Sequence, residues 1–143
     1  MAKLKDFRTD TQAINDGVWI KVGAEFDDLE ILTRGFTDQF FDAQEARLER
    51  AAQAYGGDRA KIPNAERRTV NASLLEDFLV LDVRNLDDEG KPVSKEDFYS
   101  MLYTPQYGML ARACWSSAGK VSSMSAEKLK VALGNFDSSS TST

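Results

Sequence analysis

Val18, Ile20 and Val22 alternate with Trp19 and Lys21 in the stretch from Gly17 to Val22, the period of two that marks a half-buried strand. A second extended run covers Leu29 to Thr33. The intervening Gly23-Ala24-Glu25-Phe26-Asp27-Asp28 suits a short connection, so the two runs predict an antiparallel hairpin. Two strands alone are marginal in water and must pack on another layer.

Beyond the hairpin the period lengthens. Phe41, Glu45, Leu48, Ala52 and Tyr55 fall at steps of three and four, which predicts an amphipathic helix capped by Thr37 and ended by Gly56-Gly57. After a linker over Asp58 to Ile62, Pro63 opens a second helix with Val70, Leu74, Phe78 and Leu81 at helical spacing. Leu75, Leu79, Val80 and Val83 add apolar surface on other sides, so the long apolar helix of Leu74 to Val83 is expected to form the centre of the core. Asn85 to Pro92 reads as a polar turn. Ser94 and Asp97 form a short capping box for a helix over Lys95 to about Tyr103. Thr104-Pro105 opens another, through Ala118, with Gly119 expected to close it. Ser125 is placed to cap a last helix containing Leu129 and Leu133, and Asp137 to Thr143 is a Ser/Thr-rich tail with nothing to bury. The expected fold class is α+β: an N-terminal β-hairpin on a mainly α-helical body of four to five helices. That gives one domain over residues 1–136 and a disordered tail over 137–143.

Composition narrows what such a domain does. Lys and Arg total 18 against 23 Asp and Glu, a net charge of −5, which disfavours nucleic acid as a partner. The basic residues Arg47, Arg50, Arg59, Lys61, Arg67 and Arg68 interleave with Glu45, Glu49 and Glu66, as on a solvated, salt-bridged face. A lone cysteine, Cys114, cannot form an internal disulfide and fits a small core residue in a reducing compartment. Charges at Lys3, Lys5, Asp6 and Arg8 break any signal-peptide pattern, and no segment has the length of a membrane span, so a cytoplasmic protein without a membrane partner is expected.

Histidine is absent, and with it the usual general base near neutral pH and the commonest transition-metal ligand. There is no nucleophile elbow, phosphate loop, dinucleotide fingerprint or paired metal-ligand motif, so neither catalysis nor a cofactor is expected. Asn85, Asp87, Glu89, Gly90 and Glu96 fall at calcium-loop spacing, but the first position lacks the usual Asp and Pro92 interrupts the loop. A solvated turn is the better reading, and no metal is expected there. By contrast, the C-terminal half is rich in aromatic and sulfur side chains, among them Tyr103, Tyr107, Met109 and Trp115. These types are enriched where proteins meet, and those four are the candidate partner-binding residues.

The order of the pieces resembles phage tail assembly chaperones: a strand pair, Thr33-Arg34-Gly35-Phe36-Thr37-Asp38, a helix, then the apolar run Leu74 to Val83. The nearest likeness is Leu81-Asp82-Val83-Arg84-Asn85-Leu86-Asp87-Asp88-Glu89-Gly90-Lys91-Pro92-Val93, followed by Phe98 and Pro105-Gln106-Tyr107. It spans about Gly17 to Val121. The resemblance implies a non-catalytic protein of the bacterial host cytoplasm that holds the tape measure protein and helps recruit tail tube subunits, and it is compatible with self-association. The basic linker of Arg59 to Arg68 departs from that pattern. A small structural tail or head-tail joining component of the virion would share the same sequence features.

Calcium is expected to leave the melting temperature unchanged. A saturable rise that Glu96→Gln abolishes would show a metal site in the Asn85 to Glu96 loop.

Overall fold

The N-terminal alternation forms the strands it predicts. In the computed structural model, which describes residues 1–130, β1 (Val18–Lys21) runs antiparallel to β2 (Glu30–Thr33), with Val18 opposite Thr33 and Lys21 opposite Glu30. A short helix, α1 (Thr11–Asp16), precedes them, its first turn capped by the Asp10 carboxylate, which accepts from the Ala13 N–H at 3.0 Å. Gly17 follows at φ +88, a conformation that costs other residues strain.

The hairpin is part of a three-stranded sheet, ordered β1-β2-β3. Its third strand comes from the run expected to be helical. Helix α3 (Asn64–Leu74) widens into one π-helical turn (Leu75–Leu79), and the chain then extends as β3 (Val80–Arg84) along the far edge of β2. The expected helix of Leu74 to Val83 is therefore corrected to a helix end, a wide turn and a strand. Two causes act together. Val80 and Val83 favour an extended backbone, and β2 would otherwise carry an unpaired edge inside the core. The Val80 N–H still donates to the Leu75 carbonyl, so the wide turn closes as the strand begins. Leu74, Leu75, Leu79 and Val80 are all buried, whereas Phe78 is only partly so and lies under the Arg47 guanidinium.

Helix α2 (Asp38–Ala52) starts at Thr37, whose hydroxyl accepts from the Phe40 N–H, and it ends through a 3-10 turn at left-handed Gly56. Its inward face departs from the expected stripe at the start, where Phe40 is 2% exposed and Phe41 48%, and meets it at buried Ala52. Asn85 to Pro92 holds a small hairpin, β4 (Asp87–Asp88) with β5 (Lys91–Pro92). Glu89 and Gly90 turn it with positive φ at both corners, as a tight primed turn requires. Helix α4 (Lys95–Leu102) is capped by Ser94 as expected.

The last fully described helix, α5 (Gly108–Ser123), continues through Gly119 instead of ending there. Val121 is buried beyond that glycine, and the Ser122 hydroxyl accepts from the Phe36 N–H at 2.8 Å, so packing carries the helix past its weakest residue. Ser125 caps a further helical stretch that includes buried Leu129. Leu133 and the tail expected over 137–143 lie outside the described residues.

The core lies between the sheet and the helices, with Ile31, Phe40, Leu79, Phe98, Leu102 and Cys114 among its members. A smaller cluster of Ala13, Ile20, Val121 and Leu129 joins the N-terminal helix to the far end of α5. Tyr99 on α4 donates to the Val80 carbonyl at 2.6 Å, and the Lys120 ammonium on α5 donates to the Val22 carbonyl at 3.0 Å.

Leu74→Ala and Leu79→Ala should each cost about 2 to 5 kcal/mol in urea unfolding, because each removes a fully buried side chain. Phe78→Ala should cost less than either. A loss below about 0.5 kcal/mol at Leu79 would contradict its place in the core.

Candidate partner-binding site

Helix α5 is rich in small side chains where it meets the core, at Ala113, Cys114, Ser117 and Ala118. This lets it lie close to the sheet while its bulkier residues turn to its flanks. On one flank Trp115 packs against Phe36 and Phe40, with ring centroids 6.3 and 5.8 Å away. Phe41 completes the cluster at 5.3 Å from Phe40 and 5.9 Å from Phe36, and carries it to the surface.

Beside Trp115 a groove of about 270 Å³ opens between α3 and α5. Its floor is apolar, built by Ala72, Leu75 and Leu102, and Ala111 and Trp115 form one wall. The rim is basic and polar: Arg67, Arg68 and Arg112 stand there with Asn64 and Asn71. On the opposite flank a second hollow of about 270 Å³ lies between α5 and the connection from β1 to β2. Val22, Phe26 and Met109 line it, and Met109 is 58% exposed. Arg112 borders both hollows.

The predicted residues thus occupy different places. Trp115 and Met109 sit on the two flanks of α5. Tyr107 is half-buried in the 3-10 turn (Pro105–Tyr107) leading into that helix, and Tyr103 belongs to neither hollow. The Tyr103 hydroxyl donates to the Glu76 carboxylate at 2.7 Å, and its ring packs on the core. Burial first, then that hydrogen bond and the carboxylate's charge, pushes the Tyr103 pKa up to about 12.

Sequence reasoning placed Phe41 on the inward stripe of its helix and Arg68 on a salt-bridged face, and it did not single out Arg112. A signal for Phe41 existed, since neighbours on a helix point about 100° apart and Phe40 and Phe41 cannot share one narrow inward stripe. Nothing local joins Arg68 to Arg112; the fold alone does.

The basic residues around the linker divide into two roles. Arg47 and Arg59 form ion pairs, with Asp77 at 2.8 Å and Glu45 at 2.9 Å, as the interleaved charges suggested. Arg67 instead donates to the Arg59 carbonyl and lines the groove beside Arg68. Among the described residues neither Arg68 nor Arg112 has a carboxylate within ion-pair distance. The Asn85 amide donates to the Asp28 carbonyl and the Glu30 carboxylate, and Asp87 accepts from the Gly90 N–H. Of these two calcium-loop positions, Asn85 is thus tied to the start of β2 and Asp87 serves the turn. Burial pushes the Cys114 thiol up to about 12, so it packs as a neutral thiol.

Neither family models, curated proteins nor solved structures give a significant match to this chain. Among the described residues no helix is long and apolar enough to cross a membrane.

Tyr103 should ionise near pH 12, read as phenolate absorbance lost in Tyr103→Phe, and Glu76→Gln should bring it down toward the ordinary value of 10.0. The folded state holds this proton above the unfolded pKa. The resulting stabilisation is full below about pH 10 and fades as pH rises through about 12. An unchanged titration in Glu76→Gln would show that the carboxylate does not set it.

Proposed function

We propose that this chain is a non-catalytic phage tail assembly chaperone, which binds the tape measure protein and helps recruit tail tube subunits in the host cytoplasm. The observation that carries the reading is the apolar-floored groove beside Trp115, whose ring packs through Phe36 and Phe40 against the exposed ring of Phe41. An apolar surface of this kind on a small domain suits a protein partner better than a small substrate. The segment Leu81 to Val93, the nearest part of the resemblance, supplies most of the sheet edge strand β3 and the β4–β5 hairpin.

The partner then has a long apolar surface that must be shielded until tube subunits surround it. A few aromatic anchors should supply most of the affinity. On co-expression, wild type should capture the tape measure protein, and Phe41→Ala or Met109→Ala should remain folded because both side chains are exposed. At least one of Phe41→Ala, Met109→Ala, Tyr107→Ala and Trp115→Ala should weaken capture by about 2 kcal/mol or more without unfolding the protein. Failure of wild type to capture either tape measure or tube protein would reject the chaperone reading. Fixed-copy presence in purified particles, measured by mass spectrometry, would favour a structural tail or head-tail joining component.

A further inference from the structure

We propose that the groove between α3 and α5 selects an acidic amphipathic helix: an apolar stripe seated against the wall of Ala111 and Trp115, with carboxylates flanking it against the arginines. This rests on the reading that the α5 face holds a protein, and adds the chemistry of the segment held. Charge complementarity carries the argument. The chain bears a net charge of −5, yet no carboxylate lines this groove and three guanidiniums do. Arg67 is partly engaged by the Arg59 carbonyl, whereas Arg68 and Arg112 have no acidic partner among the described residues.

An arginine rim beside the half-buried Ala111 and Trp115 asks for two things at once. A bare phosphate chain would satisfy the rim and leave that wall wet; a purely apolar helix would cover the wall and leave the guanidiniums facing nothing. A volume of about 270 Å³ admits anchor side chains rather than a whole helix, so the partner lies across the groove and inserts from one face. Carboxylates on either side of the anchors then reach the fork-shaped guanidiniums, which bind them in two-point contacts.

The test uses the full chain and two synthetic helical peptides with the same leucine stripe, one flanked by glutamates and one by lysines, titrated by calorimetry. The glutamate peptide should bind, more weakly as salt rises from about 0.05 to about 0.3 M. The double variant Arg68→Glu with Arg112→Glu should bind it at least about tenfold more weakly while melting as wild type does, and Arg112→Lys should retain part of the affinity. The proposal is overturned if the lysine peptide binds as tightly, if the double variant binds unchanged, if neither peptide binds, or if oligothymidine binds there in place of the peptides. Undiminished capture of the tape measure protein by the double variant would also overturn it while leaving the chaperone reading in place. Loss of capture by wild type, with the glutamate peptide still bound, would do the reverse.

Discussion

The backbone of β2 is satisfied on one edge by β1, its near neighbour in the chain, and on the other by β3, which arrives only after two further helices. A strand buried in a core cannot leave either row of amides and carbonyls unmet. The β2–β3 edge is also where Glu30 is buried, at 4% exposure, and its carboxylate is met by Arg84 at 2.7 Å and by the Asn85 amide at 2.8 Å. Arg84 in turn lies over the Trp19 ring on β1, 4.0 Å from its centroid, so one side chain spans all three strands. Burying an ion pair adds little to stability, but a shift of one residue would strand a charged carboxylate away from its guanidinium. The pair therefore fixes the register.

Once the register is set, the placement of α5 follows. Gly35 leaves the sheet so close to α5 that a Cβ there would meet the Ser122 hydroxyl at 2.8 Å and Ile14 at 3.0 Å. Phe36 donates its N–H to that hydroxyl and turns its ring toward Trp115. The connection from β2 into α2 thus builds one end of the aromatic cluster, and the wide turn before β3 supplies Leu75 to the groove floor. The candidate surface is assembled from the same joints that close the sheet.

How much of this was legible depended on whether the deciding force was local. The alternation of β1, the extended run of β2 and the caps at Thr37, Ser94 and Ser125 are written in a few adjacent residues, and the structure follows them. The run from Leu74 to Val83 is ambiguous, because Leu74, Phe78 and Leu81 suit a helix while Val80 and Val83 suit a strand. What decides it is the open edge of β2, and local periodicity carries no trace of that. Gly119 misled for the same reason, since the packing of Val121 and Ser122 lies beyond it. Aromatic excess near α5 pointed to Trp115 and Met109, but it could not separate them from Tyr103, whose hydroxyl is committed to Glu76. The convergence of Arg68 with Arg112 has no local signature either.

The Glu30–Arg84 contact spans 54 positions of sequence, and the Lys120–Val22 contact spans 98. During synthesis, at roughly 5 to 20 residues per second, β2 would wait on the order of seconds for its second partner. Ile31 and Leu32 are then part of an incomplete sheet with an open edge, the arrangement most prone to pairing with a neighbouring chain. Glu30 acquires a different meaning in that interval. In the finished fold its carboxylate is a buried charge that needs two partners; on the nascent strand it is an exposed charge beside the apolar pair, of the kind that discourages a foreign strand from docking. One side chain thus guards the edge before β3 arrives and identifies β3 when it does.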